Sequence, residues 1–194
     1  MPRGAVLTLL VLTALTTACG REEPEPPAPE QPPPAMPDTA GQGQRALDAA
    51  REDSIRRAQA AEAATAEETA RARAILEELV FFDYDDSSIR SDAQDVLSQK
   101  VSVLRANPNV ALAVTGHADE RGSIEYNLAL GMRRAASVRD YLVGFGLDAS
   151  RFSIETMGED RPLDPGTTEA AYARNRRADF QITRGGDPLV TGRQ

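Results

Sequence analysis

The chain has one cysteine, one histidine, one lysine and no tryptophan among its 194 residues. A lone cysteine, Cys19, excludes an internal disulfide. A lone histidine, His117, cannot build a metal site with it and reads as a hydrogen-bonded structural residue. Aromatic residues make up only 5% of the chain and the net charge is −8, which argues against nucleic acid or an anionic membrane surface as partner. Arginine outnumbers lysine 21 to 1, but the arginines are scattered, and this reads as genome bias. Apolar runs are short as well. Ala5 to Leu15 is the longest, at eleven residues, against the roughly 20 needed to span a bilayer.

That run has a use all the same. Arg3 supplies a positive start, small residues follow Leu15, and residues 1–18 read as a secretory signal outside the fold. Cys19 directly after Ala18 resembles a bacterial lipobox, with lipid on Cys19; an ordinary signal peptide with an incidental cysteine is the alternative. Residues 19–45 form a proline-rich linker. Between 21 and 38 lie eight prolines and four glutamates, a composition that buries nothing and extends by about 3.1 Å per residue. Residues 46–79 hold twelve alanines and no Gly or Pro, predicting a helical spacer on the order of 50 Å long. Its large apolar residues are sparse and show no sustained heptad, so docking is expected only near its C-terminal end.

From Val80 the pattern alternates. Leu79–Tyr84, Val110–Gly116, Phe152–Met157 and Ala178–Thr183 read as strands. Helices are expected from Ser91 to Ala106, with Ser91 and Gln94 as a capping box, from Ile124 to Gly144, and over a short stretch at Thr167–Arg176. Residues 80–184 therefore predict an α+β domain, a two-layer sandwich in the order β-α-β-α-β-(α)-β, with parallel pairs around the crossovers. Residues 185–194 read as a flexible tail.

The most informative stretch is TGHADERGSIEYNLALGMRR, residues 115–134. It places Asp119 in a tight loop after a buried strand and Arg134 on the following helix. A fixed carboxylate facing a fixed guanidinium suits a small zwitterion. The bland alternatives are Asp119 as a helix cap and Arg133 and Arg134 as a solvated face. Asp119 and Glu120 as a hydrolase acid–base pair is a weaker option, because neighbours on a loop point apart and no nucleophile is evident. Asp83, Asp85 and Asp86 lack the spacing of a calcium loop and read as a turn.

FFDYDDSSIRSDA, the 115–134 string and AAYARNRRADFQI together resemble the OmpA-like C-terminal domain family, and within it the peptidoglycan-associated lipoproteins. The resemblance covers residues 80–184. It implies a non-enzymatic domain, without cofactor, that binds the meso-diaminopimelate of the peptidoglycan stem peptide. Asp119 would take the ammonium of that residue and Arg134 its carboxylate. Phe82 and Asp83 would stand at the rim, with Gly122 and Leu130 also in the site. Arg176 is left open and Arg177 reads as structural support. The resemblance further implies an outer-membrane anchor through Cys19 and partnership with TolB and the Tol inner-membrane components, in envelope integrity and cell division.

Overall fold

A computed structural model describes residues 39–192 of the chain. The signal segment, Cys19 and the proline-rich stretch up to residue 38 lie outside the described residues, as do residues 193 and 194. Among the described residues nine elements follow one another: α1 (Thr39–Glu77), β1 (Val80–Phe81), α2 (Ser91–Ala106), β2 (Ala111–His117), α3 (Ile124–Gly144), a 3-10 turn (Ala149–Arg151), β3 (Phe152–Gly158), α4 (Glu169–Asn175) and β4 (Arg177–Arg184).

The four strands form one mixed sheet in the order β1-β4-β2-β3. β4 runs antiparallel to both β1 and β2, and β2 pairs with β3 in parallel across the α3 crossover. The last strand therefore inserts between the first two. Alternation sends Leu112 and Val114 of β2 to one face, beside Ile182 and Phe180 of β4 and Phe152 and Ile154 of β3. These side chains join Leu97, Val101 and Leu104 of α2 and Ala135, Val138 and Leu142 of α3 in one core. α3 reaches the sheet closely because two glycines face each other. A Cβ on Gly116 would sit 1.8 Å from the Gly131 carbonyl oxygen, and one on Gly131 would sit 2.4 Å from Thr156 Oγ1. The Thr156 hydroxyl donates to the Leu128 carbonyl at 3.0 Å, fastening β3 to α3 at the same level.

Three expectations are corrected. Ser91 does not cap α2: the N-cap position is Arg90, with no side-chain cap bond, and Asp92 accepts from the next amide instead. α1 begins at Thr39, within the stretch assigned to the linker: Pro37 is the last proline before it, the next is Pro108, and Gly41 and Gly43 are accommodated in its first turns. The segment after Arg184 is not a free tail. Leu189 is buried in the core, its backbone exchanges hydrogen bonds with the Thr69 hydroxyl, and Val190 does the same with the Asn107 side chain.

α1 is exposed over most of its length and buries Ala72 and Leu76 near its end. There the single lysine of the chain closes the helix. Lys100 Nζ donates to the carbonyls of Ile75 at 2.7 Å, Leu76 at 2.9 Å and Glu78 at 2.7 Å, and lies 3.9 Å above the Phe180 ring. Those carbonyls are the orphan acceptors of a helix C-terminus, and a cation is their natural partner.

Candidate functional site

The C-terminal end of β2, the loop after it and the first turns of α3 surround a cavity of about 100 Å³. Tyr84, Asp85, Ala118, Asp119, Arg121, Gly122, Tyr126, Asn127, Leu130, Arg134 and Arg176 line it. Asp119, Gly122, Leu130 and Arg134 thus come together as the sequence led us to expect. Phe82 and Asp83 do not line the cavity. Phe82 is buried with its ring 5.2 Å from the Arg134 guanidinium, and the Asp83 carboxylate turns outward to Arg90 at 2.8 Å. The turn after β1 carries Tyr84 and Asp85 to the rim in their place.

Local sequence explains the loop. The cap of α3 is Ser123, whose hydroxyl accepts from the Tyr126 amide at 3.2 Å, so Asp119 does not serve as a helix cap. Gly122 has φ +116°, a conformation that an L side chain adopts only under strain. Asn127, fully buried, donates to the carbonyls of Asp119 at 3.1 Å and Arg121 at 3.3 Å and ties the loop down onto α3.

Arg134 is completely buried. Its Nε donates to the Asp86 carbonyl at 2.8 Å, Nη1 to His117 at 2.7 Å and Nη2 to Asp83 at 3.0 Å. Three backbone carbonyls hold the guanidinium, and no carboxylate pairs with it among the described residues. Three of its five N–H groups are engaged, which leaves one on each Nη. Burial pushes its pKa down to about 10, and the nearby Arg176 adds to the shift. It stays charged at neutral pH: Asp119, Asp86 and Asp85 act on it through space, but none forms an ion pair with it.

Asp119 is 4% exposed and is the opposite case. Its Oδ1 accepts from the Arg121 amide and Nε, both at 3.1 Å. Its Oδ2 accepts from Arg121 Nη2 at 2.6 Å and Arg176 Nη1 at 3.2 Å. Burial alone would raise its pKa, but the Arg121 and Arg176 bonds hold it below the ordinary carboxylate value. Arg176 is buried and also bonds the Phe82 carbonyl at 3.2 Å and Glu169 at 2.9 Å. Arg121 lies between the Tyr84 and Tyr172 rings, 4.2 and 4.5 Å from their centroids.

Sequence reasoning passed over Arg121, Tyr84, Tyr126 and Glu169, and left Arg176 open. The signal for Arg121 was present, since a carboxylate two residues before an arginine on a tight loop can pair with it. His117 is buried with Nε2 3.0 Å from Asp179, whose carboxylate also accepts from Arg177 at 2.8 Å. This cluster lies on the other side of β2 from the core, and the His117 carbonyl, not its ring, serves the site.

The model of the OmpA family matches residues 81–176. A peptidoglycan-associated lipoprotein of Agrobacterium fabrum is 48% identical over 99 residues, 51% of this chain and 56% of its own length. One from Haemophilus influenzae is 42% identical over 99 residues, 51% of this chain and 65% of its own length. The chain thus spans somewhat more than half the length of the curated relatives it matches. The crystal structure of the peptidoglycan-associated lipoprotein from Burkholderia pseudomallei aligns with a TM-score of 0.53 at 37% identity, covering 55% of this chain and 90% of that one. With a solved relative at that identity covered over nine-tenths of its length, and a family match that takes in the end of β1, the cavity loop, Arg134 on α3 and Arg176 after α4, the chain belongs to the OmpA family.

Proposed function

We propose that the chain binds peptidoglycan without catalysis, through the free end of a meso-diaminopimelate residue in the stem peptide. One observation carries this reading. Arg134 is a buried cation that forms no ion pair among the described residues, and its two remaining N–H groups are donors for a carboxylate. Asp119 lines the same cavity and is the acceptor assigned to the ammonium on the same carbon. The saturation of Asp119 by arginines favours binding over hydrolysis, because a carboxylate held ionised in this way is a poor proton shuttle. Glu120 is engaged by the Tyr172 hydroxyl at 2.9 Å, away from Asp119.

The test is retention on purified sacculi, with free meso-diaminopimelate as competitor. Asp119→Ala and Arg134→Ala each remove one charged contact, worth roughly 1.5–3 kcal/mol, and should weaken binding about tenfold or more. A stem peptide with lysine in place of diaminopimelate, whose free end carries an ammonium and no carboxylate, should compete poorly. Folded site variants that bind sacculi as the parent does would show that the cavity is not the ligand site.

The rest of the reading extends outward from the domain. Lipid on Cys19 would anchor the chain to the outer membrane at its periplasmic face, so that the domain tethers membrane to wall. Cys19→Ala should then release the chain from membranes on fractionation; unchanged fractionation would remove the anchor from the reading. Kinship with the peptidoglycan-associated lipoproteins supports a place in the Tol system, with TolB competing with the wall for this domain. Capture of TolB by the full chain, reduced by added sacculi, is the corresponding measurement.

A further inference from the structure

We propose that Arg121 is a built-in competitor for the ligand's ammonium, a gate that occupies its seat on Asp119 until a ligand displaces it. This rests on the reading of the cavity given above and adds a specificity-determining residue to it.

The argument begins with acceptor capacity. An ionised carboxylate offers about four lone-pair positions. All four on Asp119 are filled, three by Arg121 through its amide, Nε and Nη2, and one by Arg176. An incoming ammonium finds no vacant acceptor and must replace a donor. The two arginines are not equally replaceable. Arg176 is 6% exposed and is pinned to the Phe82 carbonyl as well as Glu169. The Arg121 side chain is 33% exposed and is flanked by Tyr84, itself 60% exposed.

Arg121 also has somewhere to go. Its Nη1 already reaches Glu169 at 3.0 Å. When its other nitrogens leave Asp119, the guanidinium keeps that partner and the Tyr172 ring. The site is thus built for two arrangements of one side chain. Closed, Arg121 bridges Asp119 and Glu169; open, it stays with Glu169 and yields Asp119. A ligand that brings only an ammonium gains Asp119 but loses the internal pair. A ligand that also places a carboxylate on Arg134 gains a contact that nothing in the chain already satisfies. Only the second kind passes the threshold at low concentration, and the gate thereby discriminates against lone amines.

The experiment is calorimetric titration of the full chain with meso-diaminopimelate, using the parent, Arg121→Ala and Asp119→Ala. Removing the competitor should tighten binding by about threefold or more, the order expected for a partly exposed ion pair. N,N′-Diacetyl-diaminopimelate, acetylated on both amines and so bringing no ammonium, should gain nothing from the substitution. A residue that merely shaped the loop, or that contacted the ligand, would give weaker binding on removal, so equal or weaker affinity in Arg121→Ala overturns the gate. If the parent binds no diaminopimelate, the reading of the cavity fails and the gate with it. If the parent binds, Asp119→Ala does not, and Arg121→Ala is no tighter, the gate alone fails. Should Arg121→Ala fold poorly, the Arg121 Nε–H resonance of the parent decides the matter. It should move in step with ligand saturation, and a resonance unmoved at saturation refutes displacement.

Discussion

Gly116→Ala is the substitution through which the fold and the site are most tightly joined. The added methyl would lie 1.8 Å from the Gly131 carbonyl oxygen, which is helix backbone and cannot rotate away. α3 has to retreat by more than an ångström before that contact becomes tolerable. Arg134 lies on the same helix one turn further on, and its Nη1 bond to His117, next to Gly116 on β2, is 2.7 Å long. A retreat of that size takes it beyond the roughly 3.2 Å limit of a good hydrogen bond. The overpacking costs about 1–3 kcal/mol and the charged bond about 1.5–3 kcal/mol more. At about 4–8 °C per kcal/mol for a domain of this size, the thermal midpoint should fall by roughly 10 °C or more. Below the new midpoint, at a temperature where circular dichroism shows the variant folded, sacculus binding should still be reduced, because the Arg134 fork has been pulled out of aim. A variant that melts within a degree or two of the parent would refute the close approach. One that melts early yet binds normally would refute the link from β2 to Arg134.

Two further outcomes follow from buried groups outside the site. Burial holds Lys100 at a pKa of about 7, below its ordinary 10.5, with Glu78 and Glu77 opposing the shift. The unfolded chain keeps this proton up to about 10.5 while the folded chain releases it near 7, so stability from this residue rises with pH across that window and the charge penalty stands in full below it. Urea unfolding of the parent should therefore gain on Lys100→Met as pH rises from 7 towards 10, and a constant difference would refute the assignment. Leu189→Ala should lower stability by about 2–5 kcal/mol, read from the urea midpoint, since this side chain is buried in the core; no change would mean that the segment after Arg184 does not hold its place in solution.

The parts of the fold that were legible in the sequence are those governed by local period. α3 occupies Ile124–Gly144 as its spacing predicts, and the two-layer α+β arrangement follows from alternating short strands and amphipathic helices. Insertion of β4 between β1 and β2 was not legible, because strand order depends on which edges remain unpaired and not on any one segment. The Gly116–Gly131 contact was equally hidden. Each glycine alone permits many conformations, and only the pair, fifteen positions apart on different elements, reveals a close approach. Lys100 was hidden for another reason. Scattered cations in an arginine-rich chain read as composition, and the carbonyls that hold this one belong to residues 75–78.

Lys100 has two counterparts, and the comparison separates structure from site. Arg151, also buried, donates to the carbonyls of Leu104, Asn107 and Val110, closing the connection between α2 and β2. Arg134 does the same for the turn after β1 and the end of β2. Each of the three cations satisfies backbone oxygens that no helix or sheet ladder reaches, a structural task in its own right. Arg134 differs in facing a cavity, with Asp119 on the same wall and N–H groups left over. Loss of Arg134 therefore removes a fold-closing residue together with a ligand contact, and its effect on binding mixes the two. Asp119 has the simpler role, since its partners are two arginine side chains and a single loop amide, and Ser123 caps the helix without it. Asp119→Asn keeps the size of the side chain and lowers its charge, so its effect on sacculus binding at unchanged thermal midpoint is the cleaner measure of the site.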